Sequence, residues 1–215
     1  MEYKIMKINR LHYLVAHAEA AELACQGGVR WVQFRAKNLP YAEWRQRALE
    51  TQAVCRRHGA VLIINDSPAL ALEIGADGVH LGQQDMDPGE ARALLGPHFL
   101  IGGTANTFAH VERLASAGVN YVGLGPYRFT TTKEKLSPLL GLAGYAEIMA
   151  QCRAAGLALP IIGIGGVALA DVPALRATGL HGVAVAGAIG GAPSPAAAAA
   201  QFLAALQQSV KAPAL

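Results

Sequence analysis

The sequence predicts a single-domain α/β protein, a (β/α)8 barrel over residues 1–215. Three observations carry that prediction. One short pattern recurs four times, further apolar runs fall between its copies, and Ala/Leu-rich segments with helical spacing separate the strands. The pattern is a glycine, an apolar or small residue, two free positions, a valine, any residue and then an apolar one. It reads Gly28-Val-Arg-Trp-Val32-Gln-Phe34, Gly75-Ala-Asp-Gly-Val79-His-Leu81, Gly118-Val-Asn-Tyr-Val122-Gly-Leu124 and Gly179-Leu-His-Gly-Val183-Ala-Val185. The glycine suits a helix C-terminus, and the valine run suits a strand buried on both faces.

Taken in order, Leu11–Val15 is the first apolar run and the first copy of the pattern gives the second strand. Val61–Ile64 is the third, leading through Ser67-Pro68 into a helix that reaches Ile74, and the second copy follows as strand four. Leu100–Ile101 is the fifth run. The helical segment Val111 to Ala117 leads into the third copy, strand six. Ile161–Ile164 is the seventh run and the fourth copy is the eighth. Alternating strands and helices imply right-handed βαβ units and a parallel sheet, and eight strands suffice to close it. An open doubly wound sheet is the rival, but no GxGxxG opens a helix after the first strand. Ala196–Ala200 belongs to the last helix, and Lys211–Leu215 reads as a frayed tail.

With 53% apolar and 15% charged residues the chain can bury a full core, which excludes disorder. A net charge of +3 without a basic run does not mark a nucleic-acid binder. No apolar stretch is long enough to span a bilayer. Lys4 and Lys7 precede an apolar segment that His17, Glu19 and Glu22 soon break, which argues against a signal peptide. Cys25, Cys55 and Cys152 are odd in number and lack metal-ligand spacing. Reduced, buried thiols in a cytoplasmic protein are the simplest account.

In such barrels the active site lies at the C-terminal ends of the strands. There the polar residues gather. Strand two runs out into Gln33, Arg35 and Lys37, strand three into Asn65 and Asp66, and strand four into His80, Gln83 and Asp85. Strand five ends at Gly102-Gly103-Thr104 with Asn106 nearby. Strand six ends in Thr130, Thr131, Thr132, Lys133 and Lys135, strand seven in Gly163, Gly165 and Gly166, and strand eight in Ala186-Gly187.

Hydroxyls, backbone N–H groups and a lysine make the loop after strand six a seat for phosphate oxygens, although alone it also reads as a solvated loop. The glycines of strands seven and eight suggest a second anion site. Asp66 or Asp85 alone reads as a helix cap or turn residue. Together, beside Arg35, Lys37 and Lys133, the pair reads as a magnesium site. Arg35 and Lys37 alternate with Phe34 and Ala36, so one face of the strand end is cationic. Two anion sites across one barrel mouth favour the joining of two phosphorylated small molecules, with diphosphate as the leaving group. His80 sits among apolar neighbours and reads as a structural, hydrogen-bonded histidine. No Ser/His/Asp or Cys/His set and no mid-strand Schiff-base lysine is visible, so the chemistry needs no strong protein nucleophile.

The ordered set VQFRAK, IIND, GADGVHLGQQD, IGGT, YVGLGPYRFTTTK and GIGG resembles the thiamin-phosphate synthase family from about Leu11 to Ile189. The resemblance implies coupling of 4-amino-2-methyl-5-pyrimidinylmethyl diphosphate to a thiazole phosphate, with release of diphosphate. It implies that Gln33, Phe34, Arg35, Ala36, Lys37, Asn65, Thr104 and Lys133 form the pyrimidine-diphosphate site. It further implies that Thr130, Thr131, Thr132, Gly165, Gly166, Ala186 and Gly187 form the thiazole-phosphate site, and that Asp66 and Asp85 hold Mg2+. Arg35, Lys37 and Lys133 would act catalytically with the metal by drawing off diphosphate, and the thiazole nitrogen would capture the resulting pyrimidine-stabilised cation.

Three departures stand out. Thr104-Ala-Asn106 replaces the family's serine-x-histidine after strand five, Gly187 replaces a serine after strand eight, and Ala16-His17 replaces a Thr-Asp after strand one. Two rival readings remain. A thiazole tautomerase of the same family would use a histidine where Asn106 stands, and a non-catalytic thiamin-phosphate sensor would not need leaving-group machinery. The oligomeric state stays open, a homo-oligomer included.

Overall fold

The computed structural model describes residues 7–129 and 138–208. Among them, strands and helices alternate as β1 (Leu11–Val15), α1 (Ala18–Gln26), β2 (Trp31–Phe34), α2 (Tyr41–His58), β3 (Val61–Asn65), α3 (Pro68–Ile74), β4 (Gly78–Leu81) and α4 (Pro88–Leu95). The second half continues through β5 (Leu100–Ala105), α5 (Phe108–Ser116), β6 (Tyr121–Leu124), α6 (Gly141–Ala154), β7 (Ile161–Ile164), α7 (Val172–Ala177), β8 (Gly182–Val185), α8 (Gly187–Gly190) and α9 (Pro195–Gln207). The strands pair in parallel in sequence order and β8 returns to β1, so the sheet is a closed barrel without an edge. The expected fold class is therefore the observed one.

The repeated glycine does what its place in the pattern predicts. Gly28, Gly75, Gly118 and Gly179 have φ of 99°, 61°, 72° and 104°, each at or just past a helix end. A side chain in that conformation is strained, so glycine lets the chain leave the helix and enter the next strand. β5 is longer than its apolar run, Leu100–Ile101, because ladders on both sides carry Gly102 and Gly103 and the β6 ladder carries Thr104 and Ala105. The two glycines have low strand propensity, and pairing overrides it.

Period-two alternation divides the core in two. Outward residues such as Val32, Phe34, Ile64, Val79, Val122 and Val183 pack with the helices. Trp31, Ile63, Leu100, Tyr121 and Ile162 instead form a separate apolar cluster. His12 stacks on Trp31 at 4.4 Å between ring centroids, and Tyr121 meets the Trp31 ring edge-on at 5.4 Å. This packed plug leaves the C-terminal mouth as the place for a site. The three cysteines are buried and unpaired, and burial pushes Cys25 up to about 11 and Cys55 up to about 12. No helix among the described residues is long and apolar enough to cross a membrane.

Candidate active site

A cavity of about 440 Å3 opens at the C-terminal mouth of the barrel. Gln33, Arg35 and Lys37 line it from β2, Asn65 and Asp66 from β3, and His80, Gly82, Gln83, Gln84 and Asp85 from β4 and its loop. Across the mouth stand Thr104, Asn106, Gly125, Pro126, Gly165, Gly166 and Ala186. Arg35 and Lys37 continue the inward register of Gln33, as alternation predicts. Phe34 is fully buried against the helices and Ala36 packs against that same layer, so neither side chain lines the cavity.

The acidic pair is set by its neighbours. The Asp66 N–H donates to the His80 carbonyl at 2.8 Å, and Asp66 takes φ of 68°, a conformation that aspartate tolerates better than most residues. Ser67, not Asp66, caps α3 by accepting from the Leu70 N–H, and Asp87, not Asp85, caps α4 by accepting from the Gly89 N–H. Asp85 accepts from the Gly82 N–H at 2.6 Å, which fixes the β4 loop. Helix capping therefore does not account for Asp66 or Asp85. Enclosure by the cleft raises Asp66 from its ordinary 3.8 to about 6, helped by the hydrogen bond with Asp85 and by its charge and opposed by Arg35 and Lys37. Two facing carboxyls with that response suit a hard divalent cation. Among the described residues no group of three or more His, Cys, Asp or Glu could hold a metal, so an ion here would draw its other oxygens from ligand and water.

The floor is a bonded network. Gln33 donates to the Asn65 side-chain oxygen at 2.8 Å. His80 meets the Tyr121 hydroxyl through Nδ1 at 3.1 Å and the Thr104 hydroxyl through Nε2 at 3.0 Å. Its reading as a hydrogen-bonded structural histidine holds, with the addition that it borders the cavity. Asn106 donates to the Gly125 carbonyl and accepts from Gln83, which also reaches His110 Nδ1 at 2.9 Å. Asn106 thus ties the β4, β5 and β6 ends together.

The loops after β6 and β7 are stitched to each other. Tyr127 N–H donates to Ile164 O and Arg128 N–H to Gly165 O, both at 2.9 Å. The Arg128 guanidinium grips both oxygens of Asp171, one at 2.7 Å, and lies over the Tyr127 ring. Behind them the buried Tyr145 hydroxyl donates to the Leu124 carbonyl and accepts from the Ile164 N–H at 3.2 Å. A Cβ on Gly165 would lie 2.7 Å from Pro126, and one on Gly166 2.9 Å from the Phe129 carbonyl. These glycines are needed for the close approach of two loops as well as for their positive φ. Thr130, Thr131, Thr132, Lys133 and Lys135 lie outside the described residues, as does the Lys211–Leu215 tail. Ala186 reaches the cavity, whereas Gly187 lines an adjoining hollow of about 400 Å3 beside Tyr13 and His17.

Sequence reasoning missed Leu14, Ile164 and Ala184, which supply apolar floor to the cavity. Alternation within each strand, followed to the strand end, is the signal that would have found them. It also missed Tyr145, which sits on a helix and acts through its hydroxyl; no local pattern announces it.

Residues 8–189 match the family model for thiamine monophosphate synthase. The chain belongs to the thiamine monophosphate synthase family. Within it, the chain is 47% identical over 180 residues to the thiamine-phosphate synthase of Bacteroides fragilis, covering 84% of this chain and 88% of that one. It is 48% identical over 189 residues to the thiamine-phosphate synthase of Flavobacterium johnsoniae, covering 88% and 89%. Among solved structures, a thiamine phosphate pyrophosphorylase from Pyrococcus furiosus superposes with a TM-score of 0.81 at 25% identity, over 92% of this chain and 95% of that one. A 3-hexulose-6-phosphate synthase superposes at 0.67 and 21% identity over 92% of this chain and all of that one, a likeness of fold alone.

Proposed function

We propose that the protein is a single-domain thiamine-phosphate synthase, a transferase joining 4-amino-2-methyl-5-pyrimidinylmethyl diphosphate to a thiazole phosphate with loss of diphosphate. One observation carries the reading. Gln33, Arg35, Lys37, Asn65, Asp66, Asp85 and Thr104, scattered over four strands, line one cavity opposite the Gly165–Gly166 turn. Arg35 and Lys37 bind the diphosphate and take up the negative charge that grows on it as the carbon–oxygen bond breaks. Lys133 joins them from the β6 loop. Gln33, Asn65 and Thr104 hold the pyrimidine ring against the floor.

Thr130, Thr131, Thr132 and the Gly165–Gly166 turn, with Ala186 and Gly187, seat the thiazole phosphate so that the ring nitrogen faces the pyrimidine carbon. Positioning and charge stabilisation then carry the reaction, and no protein nucleophile is required. Asp66 and Asp85 would hold Mg2+, which would supply further charge neutralisation for the diphosphate. The buried, unpaired thiols suit a reducing, cytoplasmic setting. Asn106 is engaged with Gly125 and Gln83 where a tautomerase would need a histidine, which speaks for coupling over isomerisation.

The test mixes purified protein, both substrates and magnesium, and follows diphosphate and thiamin phosphate together. Equal amounts of the two, abolished by a chelator and restored by magnesium, are expected. Binding of the thiazole phosphate without either product would replace the synthase by the tautomerase or sensor reading.

A further inference from the structure

The barrel interior holds a hydrogen-bonded chain that ends in the cavity. Tyr121 is 1% exposed, and its hydroxyl lies 3.1 Å from His80 Nδ1. Burial pushes this phenol far up, so it keeps its proton. A phenol buried this deeply must place that proton on an acceptor, because an unmet donor in an apolar interior is costly. The ring nitrogen within its reach is His80 Nδ1, which can take that proton in the Nε2–H tautomer. In that tautomer the imidazole carries its hydrogen on Nε2, which lies 3.0 Å from the Thr104 hydroxyl and would donate to it. With its oxygen accepting from His80, the Thr104 hydroxyl would be left to donate, and Thr104 lines the cavity.

The surrounding backbone is shaped for both rings. A Cβ on Gly102 would sit 2.2 Å from the Tyr121 ring, and one on Gly123 3.1 Å from His80 Cε1. The ring planes of His80 and Tyr121 lie 5.5 Å apart between centroids, tilted by 32°.

We propose that Tyr121 and His80 are positioning residues that fix Thr104 as a hydrogen-bond donor into the cavity, so that the site selects a heteroaromatic ring presenting an acceptor nitrogen at that edge. The proposal rests on the synthase reading for the identity of that ring, the pyrimidine of the diphosphate substrate. It gives a distant, fully buried tyrosine a role in substrate choice, since without its proton the imidazole is free to reverse and Thr104 to become an acceptor.

Two measurements test this separately. In substrate-free protein, two-bond proton–nitrogen correlation spectra report the His80 tautomer, with the signal assigned by its loss in His80→Asn. A single Nε2–H form is expected, becoming a mixture in Tyr121→Phe. Kinetics of Tyr121→Phe, Thr104→Val and the double variant then give a cycle. Tyr121→Phe is expected to raise KM for the pyrimidine diphosphate about tenfold, the worth of one hydrogen bond, and KM for the thiazole phosphate less than about twofold. In the Thr104→Val background the same change adds less than about twofold. An Nδ1–H form in the wild type, or an undiminished effect of Tyr121→Phe without the Thr104 hydroxyl, overturns the relay. A pure Nε2–H signal in a wild type that couples no substrates upholds the relay and overturns the assigned reaction.

Discussion

Asp66 combines a strained backbone, φ of 68°, with a carboxyl that the cleft and Asp85 raise to about 6. Because the folded value exceeds the unfolded one, ionisation works against the fold. That penalty is present above about pH 6 and absent below about pH 4. Asparagine keeps the left-handed backbone and removes the charge. In chelator, Asp66→Asn is therefore expected to raise Tm at about pH 8, with the gain fading toward pH 4, while turnover with magnesium falls about 100-fold or more. An equal gain in Tm at both pH values would locate the effect in the backbone instead of the charge. Gly187 offers the reverse case. A Cβ there meets nothing within 4 Å, so the backbone has room for a serine. Gly187→Ser is expected to lower KM for the thiazole phosphate about threefold to tenfold and to leave KM for the pyrimidine diphosphate unchanged, as steady-state kinetics would show.

At the scale of elements, the shape of the cavity mouth depends on how the β6 and β7 ends are held. Main-chain bonds from Tyr127 and Arg128, the Arg128–Asp171 fork and the Tyr145 hydroxyl all join the two. Arg128 is half exposed, so water screens the fork in part, although the two-pronged geometry and the enclosed Asp171 keep it stronger than an open surface pair. Tyr145 is different. It is fully enclosed, and its hydroxyl satisfies the Leu124 carbonyl and the Ile164 N–H at the point where β6 and β7 diverge. Tyr145→Phe would leave both buried groups without that partner, at a cost of about 1–3 kcal/mol by denaturant unfolding. Since Gly125, Ile164 and Gly165 at those strand ends line the cavity, KM for the thiazole phosphate is expected to rise with it. A stability loss with unchanged KM would mean that the loops hold their geometry without the tyrosine.

At the scale of the whole molecule, the barrel was legible because its repeat is a repeat of physics: helix end, left-handed glycine, buried strand. The strand-end polar residues were legible because the fold dictates where strand ends meet, which is why Arg35, Asp66, Asp85 and Thr104 could be placed together from sequence. What needed the closed barrel was side-chain filling, since it depends on partners across the axis. In the four repeat copies, the position before the valine holds Trp31, Gly78, Tyr121 and Gly182, aromatic and glycine by turns. Trp31 and Tyr121 meet edge-on inside the barrel, and Gly102 on the neighbouring strand leaves room for the Tyr121 ring. With no free edge, the sheet has little slack for an extra methyl. Gly102→Ala is therefore expected to destabilise the fold by about 1–3 kcal/mol, since its Cβ would lie 2.2 Å from the Tyr121 ring. Adding Tyr121→Leu, which withdraws the ring, should recover part of that loss in thermal unfolding although Tyr121→Leu alone is destabilising. Simple addition of the two losses would refute the clash and with it the account of how this barrel is filled.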